Sequence, residues 1–562
     1  MPSNRPLDAL VTDFLSAEFA ADPSAATTLG MPGYDDQLAD LSAAAVARRR
    51  AEDAEWLRRF EGLPEGELTA DERIDRDLAL MTLRGRQCLA ARQLERRDPD
   101  PYVSAGLDGV FTLFLHKLRP QQELVASAAA RLRAVPDVLA AGRENLDAEL
   151  ASPVLLRRAA GQAAAGAAYC RDDVPQLAPE GPARRELEAA GAAAAAVYSE
   201  FAEHLTTLAE TASGGWAVGE EVYDALLREQ EGLDFGTREL RERGRAAYAA
   251  AESAMRELAG RYRGTDDWRA VLVELDRDAP ESPEVMRAGY VDWTQRARDF
   301  AYERELVGRP ALDHCEVLPA EEFQRAMLAV AFYYPPPALA DRTPDGRRAG
   351  HFFVPYPPSG AAAGAIRDRL AANSRSLQGT VAVHEAYPGH HWHFAWMDTH
   401  GIRPLRRVLM SAFFVEGWAL YAEELMREEG FFEGDLPAQL QAMGSRLFRA
   451  TRIVVDTSLH LGEMTVEEAT EYLTNAAAVP PDVARAEVVR YCAAPTQASS
   501  YLTGALEIRR LRNEWEAAGG GLRDFHDRLT MLGGLPLGLA ARALHEVAGD
   551  PSRTVGPTPS HA

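Results

Sequence analysis

Residues 381–393 read VAVHEAYPGHHWH, and residues 413–425 read FFVEGWALYAEEL. Histidines and glutamates at this density are the residue types that grip a divalent metal. A catalytic zinc takes three protein ligands from His and Asp/Glu and keeps one position open for water. In the familiar HExxH form, two histidines four apart share one helical face. Here the fourth position after His384 is Pro388, which cannot ligate. Pro388 also lacks the N–H that would bond the His384 carbonyl, so a regular helix must kink or widen there.

Two candidates remain for the second ligand. In an unbroken helix a residue six further on lies about 240° round, and one seven further on about 340°, which favours His391 over His390. A two-residue bulge at Pro388-Gly389 instead brings His390 to the usual place. We favour His390, with His391 as its rival or as a donor facing substrate. Glu385 directly follows His384, the position of a general base that takes a proton from an activated water. Glu416 sits on a second helical segment roughly 30 residues downstream, as expected of a His-His-Glu zinc site. Glu423, two turns further along, shares a face with Glu416 and is placed to orient a ligand imidazole through its other nitrogen. The bland alternative is a histidine-rich surface turn, with Glu416 merely opening a helix near its positive end.

The elements that must hold these residues are mostly helical. Segments such as ADERIDRDLALMTLRGRQCLAARQLERR and ARRELEAAGAAAAAVYSEFAEHLTTLAE space apolar residues three and four apart. The alanine-rich block 158–168 reads as a packed helix rather than a linker. VLVEL (271–275) and HFFVPYP (351–357) are the best candidate strands, and 333–350 the longest irregular connection. The division expected is an N-terminal helical lobe over 1–230, a catalytic helical lobe over 231–548, and a disordered Pro/Ser/Gly tail over 549–562.

Composition bounds the function. The 562 residues carry a net charge of −24, which argues against nucleic acid or an anionic membrane as the main partner. The 4 cysteines lie far apart and form no CxxC pair, so neither a disulfide framework nor a cysteine zinc site is indicated. The N-terminus has no basic start followed by an apolar core, and no apolar run of about 18 residues exists. A cytoplasmic address is expected by default.

The two motifs closely resemble a bacterial family, domain of unknown function 885, whose pattern is HExxPGHH followed by EGWAxYxE. Further matches are YYPP at 333–336, RIVVDTSLH at 452–460 and YCAAPTQASSYLTGALEIRRLR at 491–512. The resemblance is best over about 230–515, and PTQASSY stands where the family more often shows PGQALSY. The family looks like a distant member of the glutamate-zincin metallopeptidases. VEGWALYAEEL is similar to the NEGFAxYxE helix of aminopeptidase N-type enzymes, whose glutamate at the place of Glu416 binds zinc. The GH of HExGH in carboxypeptidase Taq and oligopeptidase-type enzymes resembles Gly389-His390, which supports His390. The fold implied is a mostly α, bundle-like zincin body around a deep cleft, with a small β element beside the active-site helix.

By the same resemblance, a tyrosine from a later helix serves the oxyanion. Tyr501 is favoured, with Tyr491 as its rival; ten residues apart on one helix, they would face about 280° apart. Asp456 and His460, four apart, form an expected polar pair near the cleft, with His460 donating to the transition state. Arg509 and Arg512 could hold a substrate carboxylate, and His351 opens a candidate strand edge for the substrate backbone. The function expected is zinc-dependent hydrolysis of an amide, with one Zn2+ on His384, His390 and Glu416, acting on short peptides. Alternatives are an amidase of a specialised metabolite or modified amino acid, and an idle helical binding protein.

Overall fold

Helices begin where the sequence supplies a side-chain oxygen for an orphan backbone N–H. Thr69 and Glu72 form a reciprocal capping box, and Thr465 with Glu468 forms another. A computed structural model describes residues 6–325, 330–340 and 350–548, and the chain is 72% helix and 2% strand. The expected tail, 549–562, lies outside the described residues. The chain divides into two compact units, Met1–Val218 with Pro337–Arg348 and Gly219–Pro336 with Ala349–Ala562. The alanine-rich segment forms a helix, Pro153–Ala168, with Ala159, Ala160, Ala163 and Ala167 buried. Small side chains there let a second helix approach closely, as expected of a packed element.

One expected strand is corrected. VLVEL lies inside the helix Trp268–Asp276, which Asp267 caps by accepting from the Ala270 N–H. Trp268, Val271, Leu272 and Leu275 are buried against Met255, Leu440 and Leu447, whereas Val273 is exposed. Burial of the neighbours Val271 and Leu272 fits a period of 3.6 and not of 2.

Three short strands make one sheet: β1 (Cys315–Pro319), β2 (Phe332–Tyr334) and β3 (Gly350–Val354), in the order β1-β3-β2. β1 runs parallel to β3, and β2 antiparallel. β3 is therefore the central strand. The expectation that HFFVPYP offers a free edge is corrected, because β1 and β2 already take both of its sides. Part of the segment expected to be irregular, 333–350, is β2, and residues 341–349 lie outside the described set.

Six helices of the second unit position the histidine–glutamate constellation. They are α1 (Arg375–Glu385), α2 (His390–Thr399), α3 (Ala412–Glu428), α4 (Leu436–His460), α5 (Pro481–Ala493) and α6 (Gln497–Ala517). α1 stops at Glu385, and the four residues before α2 include a cis Tyr387–Pro388 bond and Gly389. Gly389 lies so flat against the end of α1 that a Cβ would sit 1.9 Å from the His384 carbonyl oxygen and 2.3 Å from that of Val383. Its own N–H donates to the Val383 carbonyl at 3.1 Å. The interruption thus folds back over the last turn of α1 instead of leading away from it.

α3 is fixed to this loop and to α6. The Trp418 indole N–H donates to the Pro388 carbonyl at 2.8 Å. α3 and α6 meet through glycines: a Cβ on Gly417 would lie 2.5 Å from the Gly504 Cα, and one on Gly504 would lie 1.9 Å from the Phe413 carbonyl oxygen. Those two backbones could not approach so closely if either residue carried a side chain. Gly504→Ala is therefore expected to destabilise the protein by about 1–3 kcal/mol through forced separation of the helices, read as a lower urea midpoint. An unchanged midpoint would contradict the contact.

Candidate metal centre

The last turn of α1 and the first of α2 deliver two imidazoles to one carboxylate on α3. His384 Nε2 lies 3.4 Å from Glu416 Oε2, and His390 Nε2 lies 3.5 Å from the same oxygen. One donor atom from each of the three residues lies within 4.8 Å of the others. Donors bonded at about 2.0–2.1 Å to a tetrahedral zinc are about 3.3–3.4 Å apart. The two separations to Glu416 match that edge length, and the third lies within 4.8 Å, so the three side chains could hold one ion. His391 sits one residue along α2, about 100° round, and turns elsewhere. Its Nδ1 is 3.3 Å from the Tyr333 hydroxyl and its Nε2 3.9 Å from Asp313. Neither the rival-ligand role nor a substrate-facing one matches this buried placement.

A second layer holds the first. His384 Nδ1 is 2.7 Å from Glu423 Oε1, so its Nε2 is the nitrogen left for an ion. The other oxygen of Glu423 accepts from the Ser445 hydroxyl at 3.0 Å, and Arg449 Nη1 donates to that hydroxyl at 2.7 Å. Glu385 accepts from the Tyr333 N–H on β2 at 2.9 Å. β2, not β3, is thus the strand that touches the site.

Burial works against a charge on His384, but bonds to Glu416 and Glu423 and the charge of Glu385 outweigh it and push its pKa up to about 10. For Glu416, burial is outweighed by the bonds to His384 and His390, and its pKa falls far below the carboxylate range. Glu385 moves the other way. Burial is the largest cause and raises its pKa, against the pull of His384 and His390, which makes it a better proton acceptor.

Tyr501 reaches this neighbourhood from α6. It lies one turn before Gly504, where α6 touches α3 beside Glu416. Its pKa is raised, first by burial and then by the charge of Glu416. Tyr491 does not share its helix. Pro495 and a left-handed Thr496, with φ of 70°, separate α5 from α6, which corrects the single-helix expectation. The Tyr491 hydroxyl donates to Glu487 at 2.7 Å and accepts from Arg452 at 3.0 Å, a structural pairing instead of a substrate contact.

Asp456 and His460 are likewise placed away from the trio. They lie 11 and 15 residues beyond Ser445 on α4, about 16 and 22 Å along the axis. Asp456 accepts from the Tyr223 hydroxyl at 2.6 Å, and His460 Nε2 is 3.0 Å from the Tyr491 carbonyl. Their expected catalytic and supporting roles are therefore corrected to a buried polar cluster. Arg509 and Arg512 are already paired with Glu428 at 2.5 and 3.2 Å, which corrects the expectation that they hold a carboxylate. His351, on the central strand, faces Glu316 at 3.7 Å. The residues that sequence reasoning missed are Tyr333, Ser445 and Arg449. YYPP was visible as a motif, but nothing local in it showed that the Tyr333 backbone N–H meets a carboxylate 52 residues later.

The chain belongs to the family of bacterial proteins of unknown function DUF885, whose profile matches residues 23–544. No curated protein matches it. A solved structure from Shewanella oneidensis, described as "a putative lipoprotein of unknown function", is similar at 17% identity with a TM-score of 0.77, over 96% of this chain and 99% of that one. Another, from Colwellia psychrerythraea and described as a "putative lipoprotein", is similar at 19% identity with a TM-score of 0.78, over the same shares of 96% and 99%. These likenesses establish the fold. They also overturn the cytoplasmic address expected from the N-terminal sequence, since both similar structures are described as lipoproteins. No helix among the described residues is long and apolar enough to cross a membrane.

The charge state of His384 generates a direct prediction. With its pKa at about 10, the metal-free ring carries both protons at pH 8, and an ion on Nε2 must displace one. Adding Zn2+ at pH 8 should release at least about one proton per ion bound, read from calorimetry in buffers of different ionisation enthalpy. Binding without proton release would contradict a site on His384. Glu423→Gln should weaken Zn2+ binding about 10–100-fold without unfolding the protein, checked by competition with a chelating dye.

Proposed function

We propose that this chain is a zinc-dependent hydrolase that cleaves amide bonds in short peptides. The observation that carries the reading is the convergence of His384 Nε2 and His390 Nε2 on Glu416 Oε2, at 3.4 and 3.5 Å, with Glu385 beside them. His384, His390 and Glu416 would hold the ion. When bound, zinc acts as a Lewis acid that polarises a carbonyl and brings the pKa of a water to about 7.

The protein groups supply the rest. Tyr333 N–H anchors one oxygen of Glu385, leaving the carboxylate to accept the water's proton and pass it to the departing nitrogen. The raised pKa of Glu385 suits that exchange. Tyr501 keeps its proton at neutral pH, as an ordinary tyrosine does and more firmly because burial raises its pKa, and is the donor for the oxyanion of the tetrahedral intermediate. Glu423 fixes the tautomer of His384 and strengthens it as a ligand. The likeness of the two motifs to glutamate-zincin peptidases supports the same assignment of roles.

The test uses the full chain reconstituted with Zn2+ and a pool of short peptides, with release of free amine as the readout. Glu385→Gln should keep its zinc and lose about 10²–10⁴-fold in turnover, the usual contribution of a general base. Zinc-free wild-type protein should be inactive until metal is restored. Undiminished turnover in Glu385→Gln, or wild-type protein that binds no zinc, would contradict the proposal.

A further inference from the structure

The chain is strongly acidic, at −24 overall, yet the ground beside the metal centre is positive. Tyr501 is packed among arginines. The Arg452 guanidinium lies 5.0 Å from its ring centroid and that of Arg449 6.0 Å. Arg490 also bears on its hydroxyl. One carboxylate answers two of them. Glu487 accepts from Arg452 at 2.8 Å and from Arg490 at 2.9 Å, and their charges hold its pKa down at about 2 against burial. Three guanidiniums against two carboxylates, Glu487 and the Glu416 whose charge also bears on Tyr501, leave an excess of one positive charge there.

Arg449 is the unspent member. It donates to the hydroxyl and the carbonyl of Ser445, at 2.7 and 3.4 Å. Among the described residues no carboxylate pairs with it, and its buried Nε has no partner. Arg452 differs: it is buried, and its Nε and Nη2 are committed to Tyr491 and Glu487. Arg449 is only half-buried, as are Tyr501 and Glu416, and Tyr501 lies between the other two, 6.0 Å from the Arg449 guanidinium and within reach of the Glu416 charge. A guanidinium with unused donors in a desolvated wall is matched by a planar anion that accepts two hydrogen bonds at once.

We propose that Arg449, backed by the charge of Arg452, recognises a free carboxylate on the substrate. The amides cleaved would then be those of molecules that carry an acid group close to the scissile bond. This rests on the hydrolase reading, because the position matters only if chemistry occurs at His384, His390 and Glu416. The role first considered for Arg509 and Arg512 thus passes to a residue one helix away.

The test needs no known substrate. Monohydroxamates of dicarboxylic acids, in graded chain lengths, are compared with the same compounds bearing a carboxamide in place of the free acid. The hydroxamate end binds zinc in both, so only the other end differs. Dissociation constants are measured on the zinc-loaded full chain, on the zinc-free chain, on Arg449→Gln and on Arg449→Lys. Gln keeps a side-chain N–H donor but no charge, and the ratio of acid to amide binding within each variant cancels any change at Glu423.

For at least one chain length the acid should bind about tenfold or more tighter than its amide. Arg449→Gln should erase that ratio, with the amide as the reference for any change in the metal site itself, and Arg449→Lys should keep part of it. Equal binding of acid and amide at every length, or a preference that survives in Arg449→Gln, overturns the carboxylate proposal and leaves the metal reading standing. Amide compounds that bind the zinc-free chain as well as the zinc-loaded one overturn the metal reading and this proposal with it.

Discussion

The rest of the centre depends on one close approach, the passage of Gly389 over the end of α1. A helix carrying His384 would present its next face at Pro388, where no ligand is possible. The chain instead ends α1, folds back, and starts α2 with His390 opposite His384. That return path lies within van der Waals range of two carbonyls, so the missing side chain at Gly389 is a steric condition for it. Trp418 then ties the loop to α3 through the Pro388 carbonyl. The same indole belongs to the residue pair following Glu416, so the bond that fixes the loop also fixes the depth of the carboxylate.

The second constraint is electrostatic. Glu385, Glu416 and Glu423 are brought against two imidazoles in a largely buried place, where unpaired charge is costly. Without metal, protonation of His384 is the available compensation, and the upward shift of its pKa expresses that. A divalent cation compensates the same carboxylates while freeing the proton. The outer groups extend this logic: Ser445 and Arg449 fix Glu423, and Arg449 in turn borders Tyr501. One arginine thereby joins the support of a ligand to the wall where substrate would lie.

Much of this was legible in the sequence, for reasons of chemistry. Histidines and glutamates are too costly to bury together without purpose, so HEAYPGHH and EGWALYAEEL stood out, and so did Glu423 two turns past Glu416. The choice of His390 over His391 was not fixed by periodicity, because it depends on how the interruption folds, and the steric role of Gly389 is visible only in three dimensions. VLVEL fits either period because its five residues are mostly apolar, and only the joint burial of Val271 and Leu272, with Val273 exposed, decides between them. Tyr491 and Tyr501 were placed on one helix although Pro495 between them signalled a break. The hydrogen bond from Tyr333 to Glu385 and the approach of the Arg449 guanidinium to the Tyr501 ring each link segments 52 residues apart, and no local pattern carries such information. The cytoplasmic address failed for a different reason: composition constrains partners far better than it constrains location.

Two imidazoles and one carboxylate should close on a single ion across the interrupted helix. Diffraction from zinc-soaked crystals, recorded on either side of the zinc absorption edge, tests it most directly. An anomalous peak is expected about 2 Å from His384 Nε2, His390 Nε2 and a Glu416 oxygen. A peak on His391 and Asp313 instead, or none near Glu416 at full zinc loading, would contradict it.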